Sequence, residues 1–119
     1  MSVQNYFNKS LDIACDLIRI NSVNPGLKKE AAGEKDIAEF IFHFLRKEGI
    51  NADLQKVAPE RFNVIATVKG LNPGPRVLLN GHLDTVNVSG MQDPFIPNLY
   101  KGKLFGRGSQ DMKGGIAIA

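Results

Sequence analysis

The chain has 119 residues, with 43% hydrophobic and 23% charged side chains and 15 basic against 12 acidic residues. That balance fits one ordinary globular domain and excludes a disordered tail, a collagen-like repeat and a coiled coil. A net charge of only +3, scattered along the chain, speaks against a nucleic-acid binder, which more often presents a clustered basic face. No apolar run approaches the ~20 residues of a membrane span, and residues 1–5 lack the basic and then apolar start of a secretory signal. The single cysteine, Cys15, has no disulfide partner, which suits a reducing compartment. Composition therefore leads to the expectation of a cytoplasmic domain with neither nucleic acid nor membrane as partner.

Residues 3–20 carry a helical period, with Phe7, Leu11, Ala14, Cys15 and Ile18 forming one apolar stripe. Cys15 on that stripe reads as a small buried apolar residue, because no nearby cation would activate its thiol. Asn24-Pro25-Gly26 then breaks the helix. A second helix is predicted over 29–48, with Ile37, Ala38, Ile41 and Leu45 as its core face and Gly49 as its cap. Phe40, Phe42 and Phe44 widen that face, so the helix should be covered on more than one side. His43 has no second ligand at helical spacing and reads as a partly exposed histidine.

From Ile50 the period becomes two. Ala52 and Leu54 mark a half-exposed strand, and 62–68 is a second one, rich in β-formers. Two prolines and a glycine make 71–75 a turn. Val77-Leu78-Leu79 within 76–80 predicts a strand buried between covering layers. Residues 100–106 read as a hairpin about Lys101-Gly102, and a helix opens from Asp111 onward. With only a few residues after its two glycines, that helix has no finished apolar face. The chain therefore reads as the front part of a larger protein.

Two polar constellations stand out. Asn80-Gly81-His82-Leu83-Asp84-Thr85-Val86 follows the expected buried strand, where ligands gather in open α/β sheets. Residues two apart on an extended segment share a side, so His82 could bind a metal while Asp84 fixes its imidazole tautomer. The plainer alternative is a strand-end turn in which Asp84 caps backbone amides. The second constellation is Gly106-Arg107-Gly108-Ser109-Gln110-Asp111-Met112-Lys113-Gly114-Gly115. It is no dinucleotide fingerprint, since Asp111 stands where the third glycine belongs, and no P-loop, since Lys113 precedes glycine. The Asp111 carboxylate fits better as an oxygen ligand for a divalent cation.

Together these motifs resemble the dinuclear zinc metallopeptidase family that includes acetylornithine deacetylase, succinyl-diaminopimelate desuccinylase, aminoacylase and carboxypeptidase G. Asp93-Pro94-Phe95, Asn98 before Tyr100-Lys101-Gly102-Lys103-Leu104, and Ser22-Val23-Asn24-Pro25 extend the resemblance over essentially the whole chain. The resemblance implies an α/β fold, a three-layer α/β/α sandwich around a mixed sheet, of which residues 1–119 hold the N-terminal part. It implies that His82 ligates one zinc, that Asp111 bridges two, and that Asp84 orients His82 and assists catalysis. It also implies a cis peptide at Asp111-Met112. A general-base glutamate from a Glu-Glu pair, a further acidic ligand, a late histidine and a lid domain that often dimerises would follow residue 119. Cobalt or manganese can replace zinc in such a site. The substrate would be an N-acyl amino acid or small peptide, cleaved by metal-activated water, and 119 residues alone should be inactive. Asn87, where the family often has proline, and Gly90-Met91-Gln92 depart from the pattern at positions that bear on the pocket. A reading from another class is a non-catalytic α/β binding module with a degenerate metal site.

Overall fold

The computed structural model describes residues 2–119, and its elements follow in the order α1 (Val3–Arg19), α2 (Lys35–Lys47), β1 (Asn51–Ala58), β2 (Arg61–Thr67), β3 (Asn98–Tyr100), β4 (Lys103–Phe105) and α3 (Gly114–Ile118). It is a mixed α/β structure whose strands form two separate antiparallel pairs, β1 with β2 and β3 with β4. Helix α1 begins at Ser2, whose hydroxyl accepts from the Asn5 amide at 3.3 Å and satisfies one of the free donors of the first turn. Its buried face differs from the predicted stripe. Ala14, Leu17 and Ile18 are buried, whereas Phe7 is 60% exposed and Cys15 only half-buried. Residues 3–8 are exposed, so periodicity gave the face but not how far along the helix it is covered.

Helix α2 starts six residues later than its apolar period suggests. Residues 29–34 instead form a turn followed by irregular chain, because their backbone is engaged elsewhere: the Gly33 amide donates to Val23 and the Glu34 amide to Glu60. Ile37 and Ala38 are buried, with Phe40 and Ile41 partly so, and the helix lies against β1 and β2. His43 is exposed, its ring edge-on to Phe42 with centroids 5.1 Å apart. The hairpin β1–β2 pairs Ala52 with Ala66 and Leu54 with Val64, placing the alternating apolar residues on one face. In the β3–β4 hairpin, Lys101 and Gly102 both take positive φ, 49° and 74°, the turn whose twist matches that of the flanking strands.

The predicted strand over 76–80 is not formed. Among the described residues no segment pairs with it, and Val77, Leu78 and Leu79 remain 83%, 85% and 70% exposed. Strand preference is a preference for a packed, hydrogen-bonded surface, and here that surface is missing. The segment beyond it is held differently. A single parallel bridge joins Val23 to Thr85, with the Thr85 amide donating to Ser22 and the Asn24 amide to Thr85, each at 2.9 Å. The Ser22 hydroxyl adds a bond to the Leu83 carbonyl at 2.8 Å. The core itself is built from Ala14 and Leu17 of α1, Ile37 of α2 and Ala117 of α3.

Candidate metal centre

Both polar motifs are carried to one place by this scaffold. The bridge to Val23 fixes the extended segment holding His82 and Asp84, and the loop Ser109–Lys113 leads Asp111 into α3. Neither ligand candidate sits at the end of a paired strand, as the sequence suggested for His82. Contact with the segment after α1 replaces the sheet as the support. Gly81 allows the two motifs to approach, since a Cβ there would lie 2.7 Å from Ile116 Cδ1 and 3.2 Å from the Met112 sulfur. The same sulfur accepts from the His82 amide at 3.4 Å.

His82 Nε2 lies 2.9 Å from Asp111 Oδ1. On the other side of the ring, Nδ1 lies 3.0 Å from the Asp84 carbonyl oxygen and 3.3 Å from its carboxylate Oδ1. Asp84 Oδ2 accepts from the Asn24 side-chain amide at 2.7 Å. Partial burial pulls the His82 pKa down, but the hydrogen bonds to Asp111 and Asp84 and the two negative charges outweigh it, so the net shift is upward. His82 and Asp84 are 46% and 24% exposed and Asp111 80%, so the group is open to solvent on the Asp111 side. It faces a cleft of about 280 Å³ shared with Val86, Arg107 and Gln110.

The glycine-rich loop is anchored from below. Lys113 is buried, and its ammonium donates to the Ile20 carbonyl at the end of α1 at 2.6 Å. Burial lowers its pKa from 10.5 to about 8. Gly108, at φ 85°, makes room for the Lys113 stem and for Thr85, each 2.9 Å from where its Cβ would stand. The peptide joining Asp111 to Met112 is cis, as the resemblance implies.

An imidazole nitrogen and carboxylate oxygens are ordinary zinc donors, and the exposed convergence of Nε2 and Oδ1 fits a cation in place of a shared proton. Among the described residues no three His, Cys, Asp or Glu side chains form a complete ligand cluster. Sequence reasoning picked out His82, Asp84 and Asp111 and missed the support supplied by Asn24 and Lys113. The signal for Asn24 was the Ser22-Val23-Asn24-Pro25 segment, which reads locally as a helix-ending turn. Lys113 lay inside a motif already singled out, but nothing local says its side chain turns inward.

Known proteins match the stretch that carries both motifs. Residues 78–119, which contain both motifs, match the model of "Peptidase family M20/M25/M40". A probable succinyl-diaminopimelate desuccinylase of Staphylococcus aureus is 36% identical over 76% of this chain and 23% of its own length. An N-formyl-4-amino-5-aminomethyl-2-methylpyrimidine deformylase of Halalkalibacterium halodurans is 30% identical over 94% of this chain and 28% of its own. Its Bacillus subtilis counterpart is 31% identical over 97% and 28%. The fold and site thus define a mixed α/β chain with an open polar centre, and the proteins it resembles are named as hydrolases. The chain is similar to members of the peptidase family M20/M25/M40, with the family match lying in residues 78–119. It spans about a quarter of the length of these curated relatives.

Proposed function

We propose that residues 1–119 form the N-terminal part of the catalytic domain of a zinc-dependent amide hydrolase, completed in the longer enzyme as a three-layer α/β/α sandwich. The observation that carries this reading is the 2.9 Å convergence of His82 Nε2 and Asp111 Oδ1, with Asp84 behind the other ring nitrogen. His82 would hold one zinc, and Asp111 would offer one oxygen to each of two. Bound zinc supplies Lewis-acid polarisation of an amide carbonyl and lowers the pKa of water. This chain's residues do the preparatory work. Asp84 accepts a hydrogen bond from Nδ1–H, which keeps the proton on that nitrogen and leaves the Nε2 lone pair free, and the anchored loop keeps the Asp111 carboxylate over the cleft. Cobalt or manganese would suit the same donors.

The relatives' names describe removal of succinyl and formyl groups, which favours an N-acylated amine or amino acid over a peptide as substrate. The longer enzyme would work in the cytoplasm without nucleic acid or membrane and would pair as a homodimer through a lid domain. Among the described residues no helix is long and apolar enough to cross a membrane. The test is equilibrium dialysis of the 119-residue chain against zinc. Saturable uptake is expected, weakened in His82→Ala and weakened further in Asp111→Ala, because only Asp111 bridges. Absence of saturable uptake, or equal loss in both variants, would overturn the assignment.

A further inference from the structure

We propose that Asn24 is a positioning residue for this centre, fixing the Asp84 carboxylate and through it the tautomer of His82. The neutral imidazole carries one proton for two nitrogens, and both nitrogens face acceptors. Nε2 faces Asp111 Oδ1 at 2.9 Å, while Nδ1 faces the Asp84 carbonyl at 3.0 Å and its Oδ1 at 3.3 Å. A metal can use Nε2 only if the proton stays on Nδ1, so the Asp84 side must hold it. Rotation about the last bond of an aspartate is soft. What stops it here is the Asn24 amide, which donates to Oδ2 at 2.7 Å and leaves Oδ1 turned toward the ring.

Asn24 is itself fixed from several directions. Its backbone N–H donates to the Thr85 carbonyl at 2.9 Å, and Pro25 restricts its backbone. Its side-chain oxygen accepts from the Gly26 amide at 2.7 Å and from Arg61 at 3.5 Å. Arg61 is held at 2.6 Å by Glu34, whose side chain is only 7% exposed. A continuous line, Glu34–Arg61–Asn24–Asp84–His82, therefore runs from the start of α2 through β2 and the turn after α1 to the centre. Its consequence for zinc rests on the reading of His82 as a ligand; its consequence for the tautomer does not.

Asn24→Asp is the discriminating variant. It keeps the oxygen that serves Gly26 and Arg61, but it replaces the donor facing Asp84 with a second acceptor. Asn24→Ser, whose hydroxyl can still serve Gly26 but is too short to reach Asp84, covers the case in which the aspartate variant fails to fold. The His82 ring nitrogens are followed by long-range ¹H–¹⁵N NMR on the metal-free chain, at a pH chosen from the ring's own ¹⁵N titration so that it is neutral. The native chain should carry its proton on Nδ1, and both variants should shift toward the Nε2 proton. Zinc affinity should fall about 10–100-fold, with circular dichroism unchanged. Ring nitrogens in folded variants that match the native chain would overturn the proposal, since a merely structural asparagine would leave them unmoved. If the native chain takes up no zinc while the variants still shift the tautomer, the positioning role stands and the hydrolase reading falls.

Discussion

His82 between two carboxylates is favoured in its protonated form, and that preference governs how the centre responds to pH. Its folded pKa is raised, so its contribution to stability is complete below the unfolded value near 6.5 and is lost as pH rises through the higher folded value. Zinc needs the deprotonated ring. Zinc affinity should therefore begin to fall, on acidification, at a pH above 6.5; calorimetric titrations at successive pH values would show it. A midpoint at or below 6.5 would contradict the geometry. Lys113 works with the opposite sign. Burial lowers its folded pKa to about 8, so between pH 8 and 10.5 the unfolded chain binds the extra proton and stability rises with pH. Lys113→Met keeps most of the buried stem and removes the ammonium. That rise in melting temperature should vanish in the variant, and its persistence would assign it to another group.

The elements are held by a small number of apolar contacts, and the predicted and observed faces of α1 can be separated by mutation. Leu17 is fully buried between α2 and α3, so Leu17→Ala should cost about 2–5 kcal/mol in denaturant unfolding. Phe7, on the predicted stripe but 60% exposed, should lose no more than about 0.5 kcal/mol when changed to alanine. Equal losses would mean that the whole stripe is covered. The link between elements matters most at the Val23–Thr85 bridge. There a turn that ends a helix also supports the segment bearing His82 and Asp84.

For the whole molecule, the radius of gyration is 15.2 Å, above the roughly 13.5 Å expected of a compact chain this long. The excess goes with uncovered apolar surface. Val77-Leu78-Leu79 lies open, and Phe40, Phe44 and Ile116 line an apolar cleft of about 380 Å³. Contiguous exposed apolar patches favour association. The purified chain should self-associate with rising concentration in sedimentation, and a Val77→Lys, Leu79→Lys double variant should be less prone to it. The chain should also show no chelator-sensitive hydrolysis of N-acyl amino acids. His82 and Asp111 alone would fall short of the three protein ligands usual at a catalytic zinc, and among the described residues no third His, Cys, Asp or Glu joins them in a cluster. Turnover that is lost in Asp111→Ala would refute this.

The sequence by itself determined the parts whose cause is local. The alternation in β1 and the Lys101-Gly102 hairpin turn each depend on a few neighbouring residues, whereas the last helix begins at Gly114 and not at Asp111, whose backbone is non-helical. His82, Asp84 and Asp111 were legible for a related reason, because reactive residue types stood among glycines that permit close backbone approach. Only the tertiary structure decided the rest. The delayed start of α2 is set by backbone bonds from Gly33 and Glu34 to Val23 and Glu60. The open state of 76–80 depends on a partner strand, which no local preference can supply. The grip of Asn24 on Asp84 spans 60 positions, and that of Lys113 on Ile20 spans 93. Hydrogen bonds act over about 3 Å in space whatever the separation in sequence, so the residues that aim the centre are found only once the chain has folded.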